Sequence, residues 1–130
     1  MRHHSERKAM LPDAGDIAWV DFDPVRGTEQ AGRRPALVLT PRSYHEQSGR
    51  ALVCPITSNI RTWPFNVNLP KGLRTEGAVL VDQLRVIDRT QRMFAIVEHV
   101  PEALLFEVRA KLAALLGVDV TVGTAGLERM

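Results

Sequence analysis

Between Asp16 and Val100 the chain is cut into short apolar or alternating segments by prolines, glycines and charged turns. No stretch in that span is long enough for the helical crossover that a parallel strand pair requires, so the strands it forms must pair antiparallel. From Asp16 to Phe22 the residues alternate, with Ala18, Val20 and Phe22 on one face and Ile17, Trp19 and Asp21 on the other. This pattern predicts a strand with one buried and one mixed face, stopped by Pro24. Residues 25–33 carry two glycines among mostly polar residues, and a mobile connecting loop is expected there. The apolar runs 36–39 and 51–56, bounded by Pro35, Pro41 and Gly49, read as central strands joined by a polar turn over 41–50. Phe65-Asn66-Val67-Asn68-Leu69 alternates strictly, which sends its apolar trio to a core and its asparagines to water or a ligand. Residues 70–77 read as a further turn. Residues 78–84 and 93–100 supply two more strands, and Val86 and Ile87 extend the set within the charged segment 85–92.

Six or so short strands at this spacing predict a mainly β fold, an antiparallel sheet curled into a small barrel. One helix is expected. Pro101 opens it, Leu104, Leu105, Val108, Leu112, Leu115 and Leu116 recur at helical spacing, and Gly117 closes it. The expected organisation is a flexible N-terminal tail over 1–14, one domain over 15–117 and a C-terminal tail over 118–130. A domain of about 100 residues buries a modest core.

Composition bounds the function. No apolar run approaches the ~20 residues that cross a bilayer, so no membrane span is expected. Residues 1–9 lack the apolar core of a signal peptide, so a cytoplasmic location is expected. Cys54 is alone and sits in an apolar run, which fits a buried small hydrophobe better than a reactive thiol. One Cys and four scattered His show no metal-ligand spacing, so neither a metal nor another cofactor is expected. The net charge is only +2, but 14 of the 17 basic residues are arginine, the side chain shaped for bidentate phosphate contact. Arginine-rich codon usage explains that bias equally well, since it is spread along the chain.

Phosphate-binding glycine loops, nucleophile elbows and zinc-protease helices are all missing from the sequence. A metal-free enzyme on so small a scaffold needs an easy reaction, and RNA cleavage qualifies because the 2′-hydroxyl is a tethered nucleophile. It requires a group to take the 2′ proton, donors for the charge growing on phosphorus, and a proton for the leaving 5′-oxygen. His3 and His4 lie in the tail, His45 in a turn and His99 in a strand, a distribution that does not read as a catalytic pair. The remaining candidates are Glu29 in the loop, Arg34 at its end and Thr57 at the end of the third strand. On spacing alone these are a solvated charge, an ion-pair partner and a strand cap.

The ordered blocks Gly15-Asp16, Trp19-Val20-Asp21-Phe22-Asp23-Pro24, Gly27, Glu29-Gln30-Ala31-Gly32, Arg34-Pro35-Ala36, Pro55-Ile56-Thr57-Ser58, Pro64-Phe65, Gly77 and Val81-Asp82-Gln83 change that weighing. Together they span most of the chain, and the sequence resembles the MazF/PemK family of toxin ribonucleases. The resemblance implies an SH3-like, CcdB/MazF-type antiparallel barrel with a C-terminal α-helix, acting as a homodimer. It implies a sequence-selective endoribonuclease that cuts single-stranded mRNA by 2′-hydroxyl attack, leaving a 2′,3′-cyclic phosphate and a 5′-hydroxyl. The expected protein partner is an antitoxin with an acidic disordered tail. By the resemblance, Arg34 and Thr57 are the principal catalytic pair, Glu29 is a proton-transfer residue, and the loop over 25–33 gates the site. Trp19, Asp21, Phe22, Asp82 and Gln83 fall where relatives line the RNA groove. An arginine with a pKa above about 12 is a poor proton donor, so Arg34 is expected to clamp the phosphorane oxygens, helped by the Thr57 hydroxyl. Arg33, Leu80 and the segment 59–63 depart from better-known members, which bars copying any relative's recognition sequence. The alternative reading is a non-enzymatic toxin that traps DNA gyrase with the same barrel, against which the Arg34 and Thr57 blocks argue.

Overall fold

The computed structural model describes residues 11–22 and 32–119. Seven strands carry it: β1 (Asp16–Asp21), β2 (Arg33–Val38), β3 (Arg50–Thr57), β4 (Asn66–Asn68), β5 (Ala78–Leu80), β6 (Arg85–Asp88) and β7 (Met93–His99). Among the described residues three helices join or follow them, α1 (Arg42–Gln47), α2 (Arg89–Arg92) and α3 (Glu102–Leu115), with a single 3-10 turn at Val81–Gln83. Every strand pair is antiparallel, as the absence of crossover helices requires. The strand order is β4-β5-β3-β2-β1-β7, with β6 also on β3. The sheet curls but does not close, because β6 and β7 do not pair with each other and α2 packs across both.

Alternation along the central strands explains why they are apolar throughout. Ile17, Leu37, Cys54 and Ile56 enter one core cluster together with Leu104, Leu105 and Val108 of α3. Their sequence neighbours Ala18, Val20, Ala36, Val38, Ala51 and Val53 enter a second cluster on the other face, with Phe22, Ile87 and Met93. Both faces of β2 and β3 are therefore dry, and the runs 36–39 and 51–56 have no polar position to alternate with.

The expected strand over 78–84 is broken. On β3 Val53 and Ile56 are three positions apart, whereas their respective partners Arg85 and Val79 are six apart, so the turn Val81–Gln83 inserts three residues into the ladder. Such an insertion lifts Asp82 and Gln83 out of the sheet plane.

The polar turn expected over 41–50 contains α1, and the charged segment before β7 contains α2. Helices of six and four residues carry no readable periodicity and do not stand alone, so their stability comes from outside themselves. Arg89 Nη2 donates to the carbonyls of His45 (3.1 Å) and Ser48 (3.2 Å), capping the end of α1. The Asp88 carboxylate accepts from the Thr90 N–H (3.0 Å) and caps α2. His45 itself is buried, with Nδ1 2.7 Å from the Pro12 carbonyl and Nε2 2.7 Å from the Thr40 hydroxyl. A carbonyl only accepts, so Nδ1 donates to Pro12, and the ring is tied at both nitrogens as a structural imidazole. At the far end Pro101 caps the start of α3. Gly117 ends it with φ +75, Val118 N–H reaching the Ala113 carbonyl (2.8 Å) and Gly117 N–H the Ala114 carbonyl (3.1 Å), a Schellman closure.

Candidate nuclease site

The register of the central strands puts the two leading candidates on one face. Ala36 pairs with Pro55, Leu37 with Cys54 and Val38 with Val53; Arg34 on β2 and Thr57 on β3 each lie two residues beyond the last of these pairs. Residues facing each other in an antiparallel pair share a face, and so do positions two apart along each strand. Thr57 in turn pairs with Ala78 on β5, and Leu80 with Asn66 on β4, which carries the same face across four strands. The opposite face holds Ile56, Val67 and Val79 in the cluster covered by α3. The candidate surface thus lies on the side of the sheet away from that helix.

Thr57 is held rather than merely present. It is 5% exposed, and its hydroxyl oxygen accepts the Asn59 N–H at 3.1 Å, which leaves the hydroxyl proton to be donated outward. Gly77, the residue before β5, packs on it: a Cβ there would come within 2.1 Å of the Thr57 carbonyl oxygen, and the glycine has φ +129. Only glycine meets both demands at once. The turn leading to Gly77 is pinned by Glu98 of β7, whose carboxylate accepts from Arg74 N–H (3.0 Å), Thr75 N–H (2.8 Å) and the Thr75 hydroxyl (2.7 Å). Burial pushes the Glu98 carboxyl up, but these donors outweigh it and hold the group below its ordinary value.

Beside Thr57 opens a cleft of about 540 Å³ lined by Thr57, Asn59, Trp63, Asn66, Asp82 and Gln83, among others. The inserted turn supplies Asp82 and Gln83, and Trp63 Nε1 donates to Asp82 Oδ2 at 2.8 Å. Beneath them Cys54 is fully buried, its thiol pushed up to about 12 by burial and by the Asp82 carboxylate. The expectation of an inert, core-packed cysteine holds.

The structure gathers Thr57, Asp82 and Gln83 in that cleft; Arg34 is half-buried near the start of β2, two residues beyond the last β2–β3 pair, and is not in the lining. Trp19, Asp21 and Phe22 are not in its lining. Val20 is the residue opposite Arg34, so Trp19 and Asp21 fall on the other face of the sheet, where Asp21 faces Arg33. Trp19 stacks on Phe94 (6.5 Å between centroids), and Arg33 lies over the Phe94 ring at 5.1 Å. Phe22 is 0% exposed in the second core cluster, with Arg85 over its ring at 5.1 Å. Its side chain is a core element in this chain. Glu29 and residues 25–31 of the loop expected to gate the site lie outside the described residues.

Sequence reasoning overlooked Trp63, Gly77 as a positioning residue, and Glu98. The Asn66 side chain was half legible, since strict alternation sent it toward water or a ligand. The positive φ of Gly77 and the pinning by Glu98 depend on contacts between strands far apart in sequence, which no local pattern encodes.

Among the described residues no His, Cys, Asp and Glu cluster has metal-holding geometry, and no helix is long and apolar enough to cross a membrane. The family described as PemK-like, MazF-like toxin of type II toxin–antitoxin system matches residues 13–116. Among relatives, the Endoribonuclease toxin MazF of Escherichia coli K12 is 40% identical over 107 residues, covering 82% of this chain and 96% of that protein. The Endoribonuclease PemK of Escherichia coli is 39% identical over 120 residues, covering 89% and 90%. Among solved structures, MazF of Deinococcus radiodurans superposes with a TM-score of 0.78 at 45% identity, covering 83% of this chain and 98% of the other. A MazE–MazF complex from the same organism gives a TM-score of 0.72 at 41% identity, covering 84% and 98%. With a family match across nearly the whole described fold and relatives of this identity, the chain belongs to the PemK-like, MazF-like toxin family of type II toxin–antitoxin systems.

Proposed function

We propose that this chain is the endoribonuclease toxin of a toxin–antitoxin pair, cutting single-stranded mRNA at selected sequences without a metal ion. The observation that supports the reading is the strand register, in which Arg34 and Thr57 fall on one face of β2 and β3, each two residues beyond the last paired position, with Thr57 lining the cleft. The 2′-oxygen attacks phosphorus, the bond from phosphorus to the 5′-oxygen breaks, and the products are a 2′,3′-cyclic phosphate and a 5′-hydroxyl. In that transition state negative charge builds on the non-bridging oxygens. A guanidinium supplies two parallel donors to them, and the Thr57 hydroxyl, its oxygen already accepting from Asn59, supplies a third. Glu29 is the group proposed to move the 2′ proton, directly or through a water; an efficient base at neutral pH requires its pKa to be raised. The leaving oxygen takes its proton from solvent.

The relatives crystallised as MazE–MazF complexes support an antitoxin as partner, and a positively charged clamp suits an acidic, disordered tail that folds along the cleft. Residues 15–117 are assigned as the nuclease domain, acting in the cytoplasm, with Pro12 and Asp13 joined to it through His45 and Arg42. Phe106, Leu115 and Leu116 of and after α3 stay exposed in the single chain, which supports a homodimer that covers apolar surface. The deciding experiment replaces the ribose at the cut site by 2′-deoxyribose. Cleavage of the ribose strand and survival of the deoxy strand are expected; equal cleavage of both refutes attack by the internal hydroxyl.

A further inference from the structure

We infer that Lys111 of α3 is a positioning residue for the cleft beside Thr57: it holds the bend at 63–66 that lines the cleft, so that RNA meets a wall already in place. The inference rests on the ribonuclease reading and adds a residue that touches neither the RNA nor the reacting atoms. The first observation is where the lysine stands on its helix. Leu104 and Val108 are buried in the core under the sheet, and Lys111 follows at the next helical step of the same stripe. That position calls for an apolar side chain, and it carries a half-buried lysine instead. A lysine so placed lays its methylenes along apolar surface and sends only its ammonium beyond it. Here the ammonium ends on two backbone carbonyls: Nζ donates to Pro64 at 2.6 Å and to Asn66 at 3.4 Å.

What those carbonyls belong to gives the contact its meaning. Between the end of β3 and the start of β4, residues 58–65 form neither strand nor helix, and β4 itself is only three residues long. Arg61, Thr62, Trp63 and Asn66 of this stretch line the cleft. The Asn66 N–H donates to the Trp63 carbonyl at 3.0 Å and closes a bend over 63–66. Trp63 Nε1 then reaches Asp82 (2.8 Å), and the Phe65 carbonyl accepts the Val81 N–H (3.0 Å). Both of these bonds run to the inserted turn, the other mobile-looking part of the cleft lining, since it too is a single short turn. Lys111 adds a hold of a different kind. It grips the bend from a 14-residue helix whose Leu104, Leu105 and Val108 are locked in the core. An ammonium–carbonyl bond is charge-assisted and stronger than its neutral counterpart. A wall fixed in this way before RNA arrives spares binding the cost of ordering it.

The test compares the wild-type protein with Lys111→Met, which keeps the stem and loses the donors, and Lys111→Arg, which restores them. Each is assayed on a short RNA that the wild type cuts, and each is labelled with 5-fluorotryptophan for fluorine NMR. Lys111→Met is expected to raise KM roughly tenfold with kcat held. Its Trp63 resonance, assigned by its loss in Trp63→Phe, should shift or broaden while that of Trp19 stays in place, which separates a loosened bend from a loosened fold. Lys111→Arg should return both readouts toward wild type. Salt provides the remaining discrimination. Replacing a lysine that itself touched phosphate would lower the slope of log KM against log salt by about one, whereas replacing a positioning residue leaves the slope unchanged. An unchanged KM in Lys111→Met, an unmoved Trp63 resonance, a slope lowered by about one, or no recovery in Lys111→Arg overturns the inference and leaves the nuclease reading standing. A wild-type protein that leaves every RNA intact refutes the nuclease reading, and the positioning role with it, before any variant is compared.

Discussion

Arg34 and Thr57 contribute little to the core, and their substitution separates chemistry from folding. Arg34 is half-buried at the end of a strand, so Arg34→Ala should cost about 1 kcal/mol or less in chemical denaturation. Losing the clamp should lower kcat about 10²–10³-fold on a short RNA, the range seen when one transition-state donor is removed. Thr57→Val keeps the shape and deletes one donor to a charged oxygen, for an expected loss of about ten- to a hundredfold in kcat. An Arg34→Ala protein that unfolds would make the residue structural. Cys54 gives a second test at this scale. With its thiol pushed up to about 12, it should resist alkylation at pH 8 in the native protein and react once denaturant opens the core. Rapid native-state labelling would mean that the cluster under the cleft opens readily.

Elements decide where these side chains stand. The strands were legible because burial on both faces leaves only apolar residues, and burial on one face leaves alternation, patterns that a sequence shows directly. The two short helices were not, since α1 and α2 are held by Arg89 and Asp88, which act through contacts and caps and not through periodicity. The turn Val81–Gln83 was hidden for a related reason: its neighbours Val79, Leu80 and Leu84 are as apolar as strand residues, and only pairing with β3 reveals the three-residue insertion. Gly77 is where an element acts on the site. Gly77→Ala places a Cβ against the Thr57 carbonyl at a φ of +129, for roughly 1–3 kcal/mol of backbone strain before any clash is relieved. Relief moves Thr57, so kcat should fall while the far-ultraviolet circular dichroism spectrum keeps its β signature. Glu98→Ala frees the same turn without adding an atom, and a smaller loss of kcat in the same direction is expected. Full activity in both variants would show that Thr57 does not depend on this support.

Across the whole molecule, two carboxylates, Asp13 and Glu98, tie distant segments together and a third, Asp88, caps a helix; all three are held below their ordinary values. The Arg42 N–H lowers Asp13, the Thr90 hydroxyl lowers Asp88, and the donors of Arg74 and Thr75 overcome burial to lower Glu98. A carboxyl whose pKa is depressed by folding stabilises the native state above its unfolded value and loses that contribution as pH falls through the folded one. The ordinary values are 3.8 for the aspartates and 4.5 for Glu98. Thermal midpoints measured against pH should therefore stay level from neutrality down to about 5 as far as these groups are concerned, then fall. In Glu98→Gln the part of that fall that begins near 4.5 should shrink; an unchanged profile would show that the clamp carries no linkage.

By itself the sequence determined the mainly β antiparallel character, the helix after Pro101, the inert cysteine and the family, because hydrophobic period, punctuation by proline and glycine, and ordered motif blocks are all local along the chain. It named Arg34, Thr57, Asp82 and Gln83 through those blocks and had no means to set them in one place. That was decided by the tertiary structure. The strand register puts Arg34 and Thr57 on one face of β2 and β3, an inserted turn raises Asp82 and Gln83 beside Thr57, and Trp63 comes to rest on Asp82. The same packing buried Phe22 and turned Trp19 and Asp21 to the other face, since a side chain's direction in a sheet is set by which strands lie beside it and on which face the core closes.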